Sequence, residues 1–257
     1  MVLIDSHSHL DVAQFDADRA QVIARAEAAG VMAQIVPAIA LAGFAKLRDV
    51  CAAHHGLYPA YGLHPMFVAE HLPAHLTELH AWIERERPVA IGECGLDFFV
   101  EGLDHERQRS YFAAQIELAR DTALPLIVHA RRAVDEVIAT IRRSAGVRGV
   151  VHSFSGSEQQ ARQLWNLDFC IGIGGPLTYD RAKRLRSIVA QMPLEFLLLE
   201  TDAPDQPMSG HRDERNEPAY LTDVLTAVAA LRGEEPAAIA ATTTRNAARL
   251  FGLVSLA

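Results

Sequence analysis

The sequence predicts an α/β fold, a closed (β/α)₈ barrel spanning residues 1–257 as one domain with a C-terminal helical extension. Three observations predict it. Eight short apolar runs alternate with eight helical patterns, the order that builds parallel βαβ units. The length of 257 residues is that of a single barrel of this kind. No Gly-x-Gly-x-x-Gly follows a strand in the right context, which removes the usual support for an open dinucleotide-binding sheet.

The elements follow in order. Val2-Leu3-Ile4 is a short buried-strand run, and Asp16 to Ala29 is Ala- and Glu-rich and stops at Gly30, a helix C-cap signal. Ala33 to Val36 reads as the second strand and Phe44 to His54 as the helix after it. Leu57 to Tyr61 is the third strand, and a helix over Pro73–Arg85 carries its proline in the first turn, where the missing N–H costs nothing. Pro88 to Ile91 is the fourth strand, ending in Gly92-Glu93-Cys94-Gly95-Leu96-Asp97, and His105 to Thr122 is helical. Pro125 to Val128 is the fifth strand, closing on His129, with a helix over Ala133–Arg143. Gly149 to Val151 is the sixth, after which Ser157 caps a helix through Trp165. Phe169 to Ile173 and Phe196 to Leu199 are the last two strands, separated by a basic helix over Asp180–Ala190. Pro218 is expected at the first position of the last barrel helix, and Ala238 to Phe251 forms the extension.

Composition narrows the function classes. Lys plus Arg is 24 against 32 Asp plus Glu, a formal charge of −8, which argues against broad coating of nucleic acid. A locally positive, metal-containing site remains compatible with that total. Three scattered cysteines, Cys51, Cys94 and Cys170, make no disulfide framework. No apolar stretch is long enough for a bilayer, and no basic segment precedes an apolar signal region. The expectation is a cytoplasmic monomer with no membrane partner.

The chemistry gathers at the C-terminal ends of the strands. His7 and His9 alternate onto one side of the first strand's extension. Glu93 ends the fourth strand, His129 the fifth, His152 the sixth and Asp202 the eighth. In a barrel these ends meet at one mouth, where active sites of the fold lie. Four imidazoles and two carboxylates crowded there need a cation between them. Six ligands exceed the need of one tetrahedral ion, and a carboxylate can bridge two. With no lysine among these positions, Glu93 is the natural bridge. The mixed ligands suit one or two divalent ions, Zn, Mg or Mn, without choosing among them.

Five segments carry a resemblance: Asp5-Ser6-His7-Ser8-His9, Gly92 to Asp97, His152-Ser153-Phe154-Ser155-Gly156, Leu199-Glu200-Thr201-Asp202-Ala203-Pro204, and Arg215-Asn216-Glu217-Pro218-Ala219-Tyr220. In order and over nearly the whole chain, they resemble the TatD-type metal-dependent deoxyribonuclease family. The resemblance implies an amidohydrolase-type barrel with one to two divalent ions. It implies that His7, His9 and Asp202 bind the first ion, and that His129 and His152 bind the second, with Glu93 shared. The chain departs from that pattern at His129-Ala130-Arg131-Arg132, where many relatives have a Ser and one Arg. It departs again at Ala203-Pro204-Asp205-Gln206-Pro207-Met208, where nuclease-like members often carry Ser-Pro-Tyr.

These observations lead to a metal-dependent phosphodiesterase or deoxyribonuclease acting on nucleic acid. Asp202 is expected to orient and deprotonate a metal-activated water, with Glu93 as the other catalytic carboxylate. Two rivals stand beside it: hydrolysis of carboxylic esters, lactones or aminoacyl esters by the same centre, and a non-catalytic metal-binding module. Candidate substrate contacts are His64, Arg131, His211 and Arg212. For His64 a structural turn histidine is the competing role, and for Arg131 a solvated surface arginine. His54, His55, His71, His75 and His80 are expected in solvent, and Arg181, Lys183, Arg184 and Arg186 on an exposed helix face.

Overall fold

The structure, a computed structural model, describes residues 1–144 and 146–253. Eight strands pair in parallel in chain order: β1 (Leu3–Asp5), β2 (Val31–Pro37), β3 (Leu57–Tyr61), β4 (Ala90–Asp97), β5 (Leu126–Arg131), β6 (Gly149–Val151), β7 (Phe169–Ile173) and β8 (Leu197–Leu199). The last strand meets the first just past their ends. Ser6 N–H donates to Leu199 O at 3.0 Å, and Asp202 N–H to His7 O at 2.9 Å. Across the same seam the buried Asp5 carboxylate accepts from Thr201 N–H at 3.0 Å and Thr201 O–H at 2.6 Å. These bonds close the cylinder and make it the (β/α)₈ barrel that the alternation predicts.

Each connection carries a helix back along the outside: α1 (Arg19–Ala28), α2 (Phe44–Ala53), α3 (Ala74–Glu86), α4 (His105–Thr122), α5 (Val134–Ser144), α6 (Glu158–Trp165), α7 (Lys183–Gln191) and α8 (Leu221–Arg232). Side-chain alternation sorts the strands into two packed shells. Leu3, Val36, Tyr61, Ile91, Val128, Val151, Ile171 and Leu199 pack outward against the helices. Ile4, Ile35, Ala60, Ala90, Ile127, Val150, Cys170 and Leu198, one from each strand, fill the barrel. Packing with this inner set come Ala247, Ala248, Leu250 and Phe251 of α9 (Pro236–Phe251), the C-terminal helix, which closes the end of the barrel opposite the mouth.

Several boundaries differ from the expectation. Residues 13–15 form a separate 3₁₀ turn, so α1 begins at Arg19 rather than Asp16; Asp16 instead pairs with Lys46 at 2.8 Å. Pro218 opens a 3₁₀ turn over Pro218–Tyr220, and α8 starts only at Leu221. Pro236, ahead of the expected Ala238, takes the first position of α9, as proline's fixed φ favours. The largest difference is β4, which runs on through Asp97 instead of ending at Ile91. Its glycines serve close approach to β5, not a turn: a Cβ on Gly92 would meet the Ile127 Cβ at 2.6 Å, and one on Gly95, at φ +129°, would meet His129 O at 2.1 Å.

Candidate metal centre

The strand ends deliver His9, Glu93, His129, His152 and Asp202 into the floor of one cleft of about 1090 Å³, with His7 fully buried beside them. Glu93, 1 % exposed, lies at the middle, and its two oxygens face different partners. Glu93 Oε2 stands 3.2 Å from His7 Nε2 and 3.6 Å from His9 Nε2. Asp202 Oδ1 is 3.6 Å from each of the same two nitrogens, which are 3.2 Å from one another. Glu93 Oε1 stands 2.7 Å from His152 Nε2, 3.0 Å from His129 Nδ1 and 2.9 Å from His64 Nε2.

The first group fits a cation by its spacing. Ligand atoms ~2.0–2.1 Å from the centre of a tetrahedron lie ~3.3–3.4 Å apart, and five of the six edges among His7 Nε2, His9 Nε2, Glu93 Oε2 and Asp202 Oδ1 measure 3.2–3.6 Å. Two imidazole nitrogens face one another at 3.2 Å, and a proton can relieve that contact for one donor only, whereas a cation relieves it for both. In the second group His152 Nε2 and His129 Nδ1 oppose one another in the same way at 3.3 Å. The Nδ1 atoms of His7 and His152 are buried without a hydrogen-bond partner, so neither ring is oriented by ordinary core hydrogen bonding.

Other rings have their tautomers set by their neighbours. His9 Nδ1 lies 3.2 Å from Pro37 O, a bond that needs the proton on Nδ1 and leaves the Nε2 lone pair for a ligand role. His129 Nε2 donates to Asp97 Oδ2 at 2.8 Å, which turns its Nδ1 lone pair toward Glu93. His64 behaves differently. Its Nδ1 accepts Met66 N–H at 3.0 Å, so the proton sits on Nε2 and is donated to Glu93 Oε1. His64 is therefore a hydrogen-bond donor to the central carboxylate.

Electrostatics follow burial and partner. Burial works to raise the Glu93 carboxyl, but His152, His64 and His7 around it hold it well below the usual carboxylate range. Burial raises Asp202. Burial opposes charge on His152, yet Glu93 and then Asp202 draw it up to about 10. Burial brings His64 down to about 4 in spite of Glu93, and it stays neutral near pH 7.

Several functional side chains were not singled out from sequence. Asp97 is wholly buried; besides His129 it accepts Phe99 N–H at 2.9 Å and Val100 N–H at 3.0 Å. Burial opposes its ionisation, but the His129 and backbone bonds outweigh that and hold it at about 2. Gln206 donates to Asp202 Oδ2, the oxygen turned away from His7 and His9, and also contacts Ser153 Oγ. Glu200 accepts Ser153 N–H at 2.5 Å and so holds the chain just past His152. Asp97 stood in a quoted motif four residues after Glu93, and that spacing was the available signal.

The remaining candidates separate. His64 and Arg131 line the cleft. His211 and Arg212 are not among the cleft-lining residues: His211 bonds Glu214 at 2.7 Å and stacks on Tyr220 at 3.7 Å, while the Arg212 guanidinium lies over Tyr179 at 5.2 Å. One expectation is corrected: His71 is buried, not solvated, because its Nε2 donates to His64 O at 2.9 Å and so holds the loop that carries His64. Arg181, Lys183 and Arg184 are exposed, as expected, and they also edge the cleft, because α7 starts at Lys183 and its first turn abuts the mouth.

A parallel eight-stranded barrel with clustered His, Glu and Asp ligands at its C-terminal mouth defines the class: a metal-dependent hydrolase. The comparisons make the assignment specific. The model of the TatD-related DNase family matches residues 4–252, and the chain belongs to that family. It is 39 % identical to the metal-dependent hydrolase YjjV of Escherichia coli K12, over 97 % of this chain and 98 % of that one. It is 34 % identical to the 3′-5′ ssDNA/RNA exonuclease TatD of Klebsiella pneumoniae, covering 98 % of each. The crystal structure of the Escherichia coli YjjV protein superimposes with a TM-score of 0.94 at 38 % identity, over 97 % of this chain and 98 % of that one. No helix among the described residues is long and apolar enough to cross a membrane.

Proposed function

We propose that the protein is a phosphodiesterase acting on nucleic acid, a deoxyribonuclease in the first instance, that works with one or two divalent ions. The observation that carries this reading is the division of Glu93: one oxygen belongs to the His7–His9–Asp202 group and the other to the His129–His152 group. Shared carboxylates of this kind suit phosphoryl chemistry, in which the attacking and leaving oxygens both need stabilisation. The name of the Klebsiella relative, an exonuclease of single strands, supports the same substrate class. A divalent ion held there would supply a Lewis acid and would lower the pKa of a bound water, toward ~7 in the case of Zn.

The chain's own groups do the rest. Asp202 faces the first ligand group with Oδ1 and takes the proton of the attacking water on its carboxylate. Gln206, donating to Oδ2, fixes the plane of that carboxylate. Glu93 holds the two groups at constant separation, and the His64 N–H keeps its Oε1 oriented. Arg131 at the cleft edge offers charge to the substrate phosphate.

A second reading, hydrolysis of a carboxylic or aminoacyl ester, is favoured by one observation: Asp205 places an acid in the cleft lining, which a neutral substrate tolerates better than a phosphate. Turnover of metal-reconstituted protein on a single-stranded oligonucleotide, bis(p-nitrophenyl) phosphate and p-nitrophenyl acetate separates the two. The expected result is metal-dependent cleavage of both phosphodiesters. Turnover of the acetate alone would replace the phosphodiesterase reading with the ester one.

A further inference from the structure

The cleft has two unlike walls. Val12, Ile39, Met66 and Phe67 line one side, whereas Arg131, Arg181, Lys183 and Arg184 line another. In a chain of net charge −8 this gathering of cations is notable, and none of the four makes an ion pair among the described residues. Two of them are also braced. The Arg131 guanidinium lies 3.6 Å from the Phe99 ring centroid, with Arg132 at 4.7 Å from the same ring. Arg181 lies 5.0 Å from the Tyr179 ring, and Arg212 lies 5.2 Å from it. Stacking on an aromatic face holds a guanidinium extended without consuming its N–H donors, which stay available for an oxyanion.

Arg131 ends β5, and Arg181 precedes α7 after β7; between them β6 delivers His152 to the metal centre. We propose that the Arg131–Phe99 and Arg181–Tyr179 stacks form two phosphate subsites on either side of the centre. The preferred substrate is then a strand carrying phosphates beyond the scissile one, not an isolated diester. This rests on the phosphodiesterase reading above and adds the feature that selects among phosphodiesters. Arg131 ends β5 and Arg181 stands in the loop after β7, with β6 between, so the two subsites belong to different βα connections and take different phosphates of one strand. The apolar wall opposite suits bases and sugars.

Salt dependence tests the assignment, because each phosphate contact on a single strand contributes ~0.7 to the slope of log affinity against log salt. The probe is a fluorescein-labelled phosphorothioate oligothymidylate, which resists cleavage, read by anisotropy with the metal-loaded protein. Arg131→Gln and Arg181→Gln should each weaken binding about tenfold, the lower range for a charge-assisted hydrogen bond, and each lower the slope by ~0.7. Arg245→Gln, in exposed α9 at the other end of the barrel, should keep the wild-type slope. An unchanged slope in either cleft variant, or an equal drop in Arg245→Gln, would overturn the two-subsite assignment. Turnover of an unmodified oligothymidylate and of bis(p-nitrophenyl) phosphate by the wild type keeps the underlying reading separate. Failure on both substrates would refute the phosphodiesterase, whereas turnover with unchanged slopes would refute the subsites alone.

Discussion

Replacing Asp97 by Asn exchanges one carboxylate oxygen for an NH₂ donor, removes a negative charge and changes almost no volume, and its effect should appear in metal affinity. In the native protein the Asp97 carboxylate accepts three hydrogen bonds: Phe99 N–H and Val100 N–H on Oδ1, and His129 Nε2–H on Oδ2. An Asn side chain satisfies the two backbone donors with its carbonyl oxygen and must then present its NH₂ to His129. Two donors would meet at 2.8 Å. The ring escapes by moving its proton to Nδ1, and that proton then points at Glu93 Oε1, 3.0 Å away, where a ligand lone pair is needed. Losing such a support for a ligating histidine typically costs 10–100-fold in metal affinity, ~1.4–2.7 kcal/mol. We expect Asp97→Asn to lose that much from the ion shared by Glu93, His129 and His152, and to leave the His7–His9–Asp202 ion close to its native affinity. Competition against a metallochromic chelator gives both constants, and ¹⁵N shifts of the imidazole report the tautomer directly. Native affinity for both ions, with the His129 proton still on Nε2, would refute the reasoning.

Three further outcomes follow from the same structure. Asp202→Asn keeps one carbonyl ligand but no base, so at saturating metal its turnover should remain ~10²–10⁴-fold low; recovery in step with bound metal would make Asp202 a ligand only. Chelation should abolish hydrolysis while the far-ultraviolet circular dichroism persists, because the barrel's two apolar shells lie below the ligand cluster; global unfolding would make the ions structural. Phe251→Ala, in the buried contact between α9 and the barrel interior, should cost ~3–5 kcal/mol in denaturant unfolding without changing metal content, and a near-neutral result would mean that α9 does not brace the barrel.

The strands were legible because each carries a short, mostly apolar run, the mark that burial on both faces of a parallel barrel leaves. The cluster of six candidate ligands was legible because imidazole and carboxylate at strand ends have no packing reason to be there. Gly92 and Gly95 misled, since a glycine that lets two backbones approach has the same letter as one that turns the chain. His71 and Asp97 were obscure for another reason. Their partners, His64 O and His129 Nε2, lie on other elements, and nothing in local spacing encodes a hydrogen bond between elements. Nor could spacing show that His211 would be engaged by Glu214 and Tyr220, since an exposed loop histidine has several neighbours of suitable charge.

The bonds that close the cylinder bear on how the protein is made. Asp5 and Thr201 meet across 196 positions of chain, and the candidate ligands His7 and Asp202 flank that meeting point. During synthesis His7 and His9 leave the ribosome well before Asp202, the carboxylate beside them in the fold, which lies far downstream in the chain. A chain that stops short of Thr201 and Asp202 therefore lacks both the bonds that close the cylinder and the carboxylate that faces His7 and His9. Barrel closure and completion of the proposed first ligand group depend on the same late segment.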